Sequence, residues 1–172
     1  MSPQAIFQTH LVLGYVACLV LFGTYILPRL RLMSRFDAHR VIAAIHSYRF
    51  FGLVFVLPGV VGPNLPSSFA TYAAYGDFAT GVLAILALLA ARIRPLFWSL
   101  VVAFNIAGIG DLLINYYNGI RLGLGNVSGQ LEAAYGIPII YVPLLMITHI
   151  LALYWLVRPR PATGPALTGT AA

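Results

Sequence analysis

Five stretches of this chain are each long and apolar enough to cross a bilayer, and that leaves little choice of fold. They cover about 5–27, 41–62, 72–91, 96–117 and 137–157, each near the roughly 20 residues that a helix rising 1.5 Å per residue needs to span hydrocarbon. Inside a bilayer every backbone polar group must be satisfied without water, so uniform runs of this length fold as helices. A chain that is 60% hydrophobic and 8% charged has lipid as its solvent. The expectation is therefore an all-α membrane protein, a single domain over 1–158 built as a bundle of five transmembrane helices, with 159–172 as a disordered cytoplasmic tail rich in proline and small residues. The first run has no basic start and no small-residue cleavage site, so it is read as a retained span.

Arginine placement sets the orientation. Arg29, Arg31, Arg35 and Arg40 precede the second run and Arg49 lies near its start; Arg92 and Arg94 join the third and fourth, and Arg158 and Arg160 follow the fifth. The opposite side carries Arg121 and Glu132. The positive-inside rule then puts the N-terminus outside and the C-terminus in the cytoplasm. The net charge of +6 is topology rather than a nucleic-acid footprint. Lysine is absent, which excludes a Schiff-base lysine and a Walker A loop. The lone Cys18 cannot form an internal disulfide. The stretch 28–45 is expected as a helix at the cytoplasmic interface, Pro58-Gly59-Val60-Val61-Gly62-Pro63 as a break, and 118–136, with its five glycines, as the longest outer loop.

Only four acids are present, and Asp77 and Asp111, in two Gly-Asp dipeptides, fall inside apolar runs. An intramembrane acid costs about 2.5 kcal/mol or more on insertion scales, which makes it a functional-site hypothesis. From helix rise, Asp77 lies about 7 to 8 Å and Asp111 about 9 Å below the outer face, with His10 at about the same level. Asp77 shares its stripe with Ala73, Thr80, Gly81 and Ala84, and Asp111 with Ala107, Gly108 and Asn115, small residues that let helices approach. The carboxylates can hold a proton between them, accept a ligand, or with His10 offer O, O and N donors to a divalent metal. The plain alternative is structural, with each acid held by a neighbouring polar group near the interface.

A second polar set is expected on the cytoplasmic side. His39, His46 and Arg49 are spaced by seven and three and align on one helix face. His149, near mid-membrane on the fifth run, has Asn105 as its candidate partner. This face suits an anionic head group, a quinone carbonyl or haem b. Haem ligation by His46 and His149 would have to overcome a level mismatch of up to two helix turns.

Tyr48-Arg49-x-x-Gly52, Gly76-Asp77-x-x-x-Gly81, Asn105-x-x-Gly108-x-x-Asp111 and His149-x-x-Ala152-Leu153 together resemble a group of small uncharacterised bacterial multi-pass membrane proteins, over about 48–153. The resemblance implies the bacterial inner membrane and brings no activity or cofactor with it.

The leading expectation is a non-enzymatic protein that binds or passes a small solute or proton, or an accessory subunit of a membrane complex. Asp77 and Asp111 are then acceptors, His149 a relay and Arg49 an anion contact. A haem- or quinone-binding redox subunit using His46, His149 and Arg49 is the alternative, and a small membrane enzyme acting on lipid or quinone the third. The partners expected are the lipid bilayer and either further copies of the chain or another membrane protein.

Overall fold

The structure, a computed structural model, describes residues 1–158, and these form an all-α bundle. The tail read as disordered, 159–172, lies outside the described residues. Helix α1 is Pro3–Leu32. Helix α2, Arg35–Ser47, tightens directly into a 3-10 segment, Tyr48–Val56. Helix α3 is Ser67–Leu89, α4 is Arg94–Arg121, and α5 is Ile137–Val157, preceded by 3-10 turns over Leu124–Tyr135 that are broken by non-helical backbone at Val127 and Glu132. Among the described residues, four helices (α1, α3 with its final turn, α4 and α5) are long and apolar enough to cross a membrane. Val12, Leu13, Val16, Leu19 and Val20 of α1 are more than half exposed, a surface suited to lipid and unsuited to water.

Two helices carry a π turn, and each turn lies just ahead of a proline. Phe22–Ile26 precedes Pro28, and Ile137–Tyr141 precedes Pro143. Proline has no N–H for the carbonyl four residues back and its ring crowds that carbonyl, so the helix widens locally. In α5 this frees backbone carbonyls toward α1, where the Cys18 thiol donates to the Ile140 carbonyl at 3.6 Å. The Ile139 carbonyl meanwhile lies against Gly14, where a side chain would collide with it.

The second apolar run is the one whose form differs from expectation. It is not a uniform α-helix from about 41 to 62. Helix α2 begins at Arg35, capped by Ser34 Oγ, which accepts from the Asp37 N–H at 3.1 Å. It changes to 3-10 geometry at Tyr48, and there the Tyr141 hydroxyl donates to the Ile45 carbonyl at 2.9 Å. One face of 35–47 packs inside the bundle while Asp37, Arg40 and Ala44 stay exposed. Ala38, His39, Ile42, Ala43 and His46 are all fully buried.

The segment runs the whole length of the bundle. At one end Arg35 donates to the Leu156 carbonyl at 3.0 Å and the Arg94 guanidinium lies 3.5 Å over the Phe36 ring. At the other, the Gly62 N–H reaches the Gln130 carbonyl at 2.8 Å. The first end gathers the close of α1, the start of α2, the α3 to α4 turn and the close of α5, and with them Arg29, Arg31, Arg35, Arg40, Arg92, Arg94 and Arg158. The core divides accordingly. One apolar cluster at the arginine end includes Leu30, Ile42, Phe97, Val101 and Trp155, and a second at the other end includes Phe55, Phe69, Leu124 and Leu131. Between them lies a buried polar layer.

Candidate functional site

The polar layer is organised by Arg49, which is fully buried. Its Nε donates to Asp77 Oδ1 at 2.7 Å, and Nη2 lies 2.6 Å from the same oxygen and 2.5 Å from Asp111 Oδ2. Its Nη1 donates to the Gly108 carbonyl at 3.3 Å and to His149 Nε2 at 3.1 Å. Each of the three guanidinium nitrogens therefore donates, through four hydrogen bonds in all, and Nη2 is ion-paired with both carboxylates, the kind of matching under which a buried arginine is tolerated. Asp111 Oδ1 also accepts from Asn115 Nδ2 at 3.0 Å.

Hydrogen bonding fixes the histidines. Asn105 Nδ2 donates to the Val101 carbonyl at 2.8 Å, which turns Oδ1 toward His149 Nδ1 at 2.9 Å. His149 therefore carries its proton on Nδ1 and accepts from Arg49 on Nε2. The Thr148 hydroxyl donates to the Leu144 carbonyl at 2.8 Å and accepts from His46 Nε2 at 3.0 Å. His46 Nδ1 is buried without a partner, and its ring stacks on His149 with centroids 3.9 Å apart.

Glycines make the space. A side chain at Gly76 would collide with Asp111, and one at Gly108 with both His149 and Arg49.

The two polar sets expected on opposite sides are one site. Asp77, Asp111, Arg49, His149 and Asn105 come together, and His46 stacks at the edge of the group. The separation failed because it counted depth from an entry near Val41; with α2 starting at Arg35, Arg49 lies about 21 Å along rather than about 12 Å. The supposed mismatch between His46 and His149 disappears for the same reason. His39, His46 and Arg49 do share a face, and it is buried rather than turned to head groups. The stripe of Asp77 is buried as expected at Ala73, Thr80, Gly81 and Ala84, whereas Ala107 on the stripe of Asp111 is exposed.

His10 does not join the acids. It is exposed, and its Nδ1 lies 3.0 Å from the Tyr135 hydroxyl. Among the described residues no three His, Cys, Asp or Glu side chains are placed to hold a metal ion. Haem does not fit His46 and His149 either. One haem between them needs a nitrogen of each on opposite faces of the porphyrin, but the rings stack on each other and both nitrogens of His149 are engaged.

Two openings reach the layer. A cavity of about 340 Å³ has Phe7, Phe55, Phe69 and Leu112 in its walls and Asp77 and Asn115 among its lining. Asn115 Oδ1 is buried without a partner. On another side a shallow groove between α3 and α4, bordered by Tyr72 and Tyr75, reaches Asp111. Sequence reasoning missed the roles of Thr148 and the cavity aromatics, because a threonine or phenylalanine in an apolar run carries no signal of its own. Asn115 it placed only as a stripe neighbour of Asp111.

No curated protein and no solved structure matches the chain. A family model described as "Domain of unknown function (DUF8737)" matches residues 6–157. That match takes in α1 from its first turn, the whole polar layer and α5 to its end, and the chain belongs to this family.

Proposed function

We propose that the protein is a multi-pass protein of the bacterial inner membrane that binds a proton at the Arg49 cluster as part of small-solute binding or transport, without enzymatic chemistry, alone or as a subunit of a membrane complex. The observation that carries this is one fully buried guanidinium held between two carboxylates that reach different openings. One cation against two carboxylates leaves one negative charge uncompensated. In a low dielectric such a charge is costly, and a proton shared by the pair removes it. Asp77 and Asp111 are the acceptors in this reading. His149 is a positioning residue, since its nitrogens are occupied by Asn105 and Arg49.

Five crossings with the N-terminus outside are part of the same proposal. Their support is the course of α2 and its 3-10 segment, together about 38 Å long against a hydrocarbon core of about 30 Å. The arginines gathered at one end support the orientation.

Infrared spectroscopy of the purified protein in lipid nanodiscs tests the proton site. A protonated-carboxyl band that responds to pH is expected, and should be changed in both Asp77→Asn and Asp111→Asn while circular dichroism shows retained helix. A spectrum with no titrating carboxyl in the folded wild-type protein would rule the site out.

A further inference from the structure

We propose that the cavity over Asp77 binds a lipophilic cation, a quaternary or tertiary ammonium on an aromatic or short alkyl body, in exchange for the cluster's proton. This rests on the reading of the cluster as a proton site and names the ligand class. Four features of the cavity point the same way.

Asp77 is the charged residue in its lining, with Asn115 beside it, while the exposed Gln4 and Gln8 lie at its rim. An anion there would face the Asp77 carboxylate with no cation beside it, because Arg49 is not in the lining and each of its nitrogens already donates within the polar layer. The walls carry Phe7, Phe55 and Phe69, and aromatic faces attract a cation whose hydration shell is easily lost. A volume of about 340 Å³ lies within the range of small-molecule sites.

Substitution at nitrogen follows from the apolar walls. A primary ammonium brings three N–H donors that walls of Phe7, Phe55, Phe69 and Leu112 do not satisfy, and an unmet buried donor is costly. A quaternary nitrogen brings none, and a tertiary one brings a single donor for Asp77. Charge balance supplies the exchange: a bound cation neutralises the layer as the proton did, so binding releases the proton through the cavity or the Asp111 groove.

Benzyltrimethylammonium and its neutral isostere neopentylbenzene, in which carbon replaces the nitrogen, are titrated calorimetrically into the full-length protein in nanodiscs, with empty nanodiscs subtracted. Two buffers of different ionisation heat count the protons released. The cation is expected to bind at least about tenfold more tightly than the isostere, to release a proton and to bleach the carboxyl band. Ile120→Trp, at an exposed rim position of the cavity where folding is not at stake, should weaken it by a similar factor, as should Asp77→Asn if it folds. Equal binding of the neutral isostere overturns the proposal in favour of an uncharged quinone-like ligand. Cation binding untouched by Ile120→Trp overturns the location, and no binding overturns the proposal outright. A carboxyl that titrates without binding the cation leaves the proton site standing alone; no titrating carboxyl removes both.

Discussion

Arg49 shows how strongly a buried charge depends on its partners. Deleting one member of a buried ion pair leaves the rest uncompensated and costs about 3 to 5 kcal/mol, so Arg49→Ala should lower the thermal midpoint sharply in detergent. Replacing the whole set with apolar residues, Arg49→Met with Asp77→Leu and Asp111→Leu, should fold at least nearly as well as wild type while losing the titrating carboxyl. That pair of results separates a site kept for function from one kept for stability. Thr148→Val offers a smaller test. It removes the hydroxyl that receives the His46 Nε2 proton at 3.0 Å, leaving a buried donor unmet at about 1 to 3 kcal/mol, measurable by chemical unfolding. At this scale the sequence was informative about which residues matter and poor about which of them meet. Asp77, Asp111, Arg49 and His149 stand out because ionisable side chains in apolar runs are costly. Their meeting depended on where α2 starts, which an apolar run does not reveal when its first turns contain arginine and histidine.

Among the elements, α3, α4 and α5 follow closely from their apolar runs, because helix length in lipid is set by hydrocarbon thickness. The second run was harder to read. Tyr48–Val56 is aromatic and β-branched, and a hydropathy pattern does not separate a 3-10 course from an α-helical one. The two π turns could have been anticipated from Pro28 and Pro143, since each proline removes a helix donor. Helix α4 offers a matched pair of glycines. At Gly108 an added methyl group meets His149 and Arg49, whereas at Gly110 it meets nothing. Gly108→Ala should therefore lose about 1 to 3 kcal/mol through overpacking. Gly110→Ala should be neutral or gain up to about 1 kcal/mol from helix propensity. Thermal unfolding of the two variants side by side checks this, and equal losses would mean that the polar layer is not packed as the glycines indicate.

For the whole molecule the decisive issue is parity. Crossings by α1, α3, α4 and α5 alone are even in number and would return the two ends of 1–158 to the same side of the membrane. The bundle itself is built otherwise: α2 and its 3-10 segment run from the arginine end, where Arg35 meets the Leu156 carbonyl, to the end where Gly62 meets Gln130. Read as a fifth crossing, that course makes the count odd and sends Ser2 and Arg158 to opposite sides. Single cysteines at Ser2, Asn64 and Arg158 in a Cys18→Ser background, labelled in intact cells with a membrane-impermeant maleimide, measure this directly. Labelling is expected at positions 2 and 64 from outside, and at 158 only after the membrane is opened. Position 64 is the sharpest probe. It follows the 3-10 segment and precedes α3, so it is reached from outside only if that segment has crossed. If 35–56 turned back on the cytoplasmic side, position 64 would be protected in intact cells. The polar layer would then lie on an even-numbered bundle, and the arginine clusters would no longer share one face of the membrane.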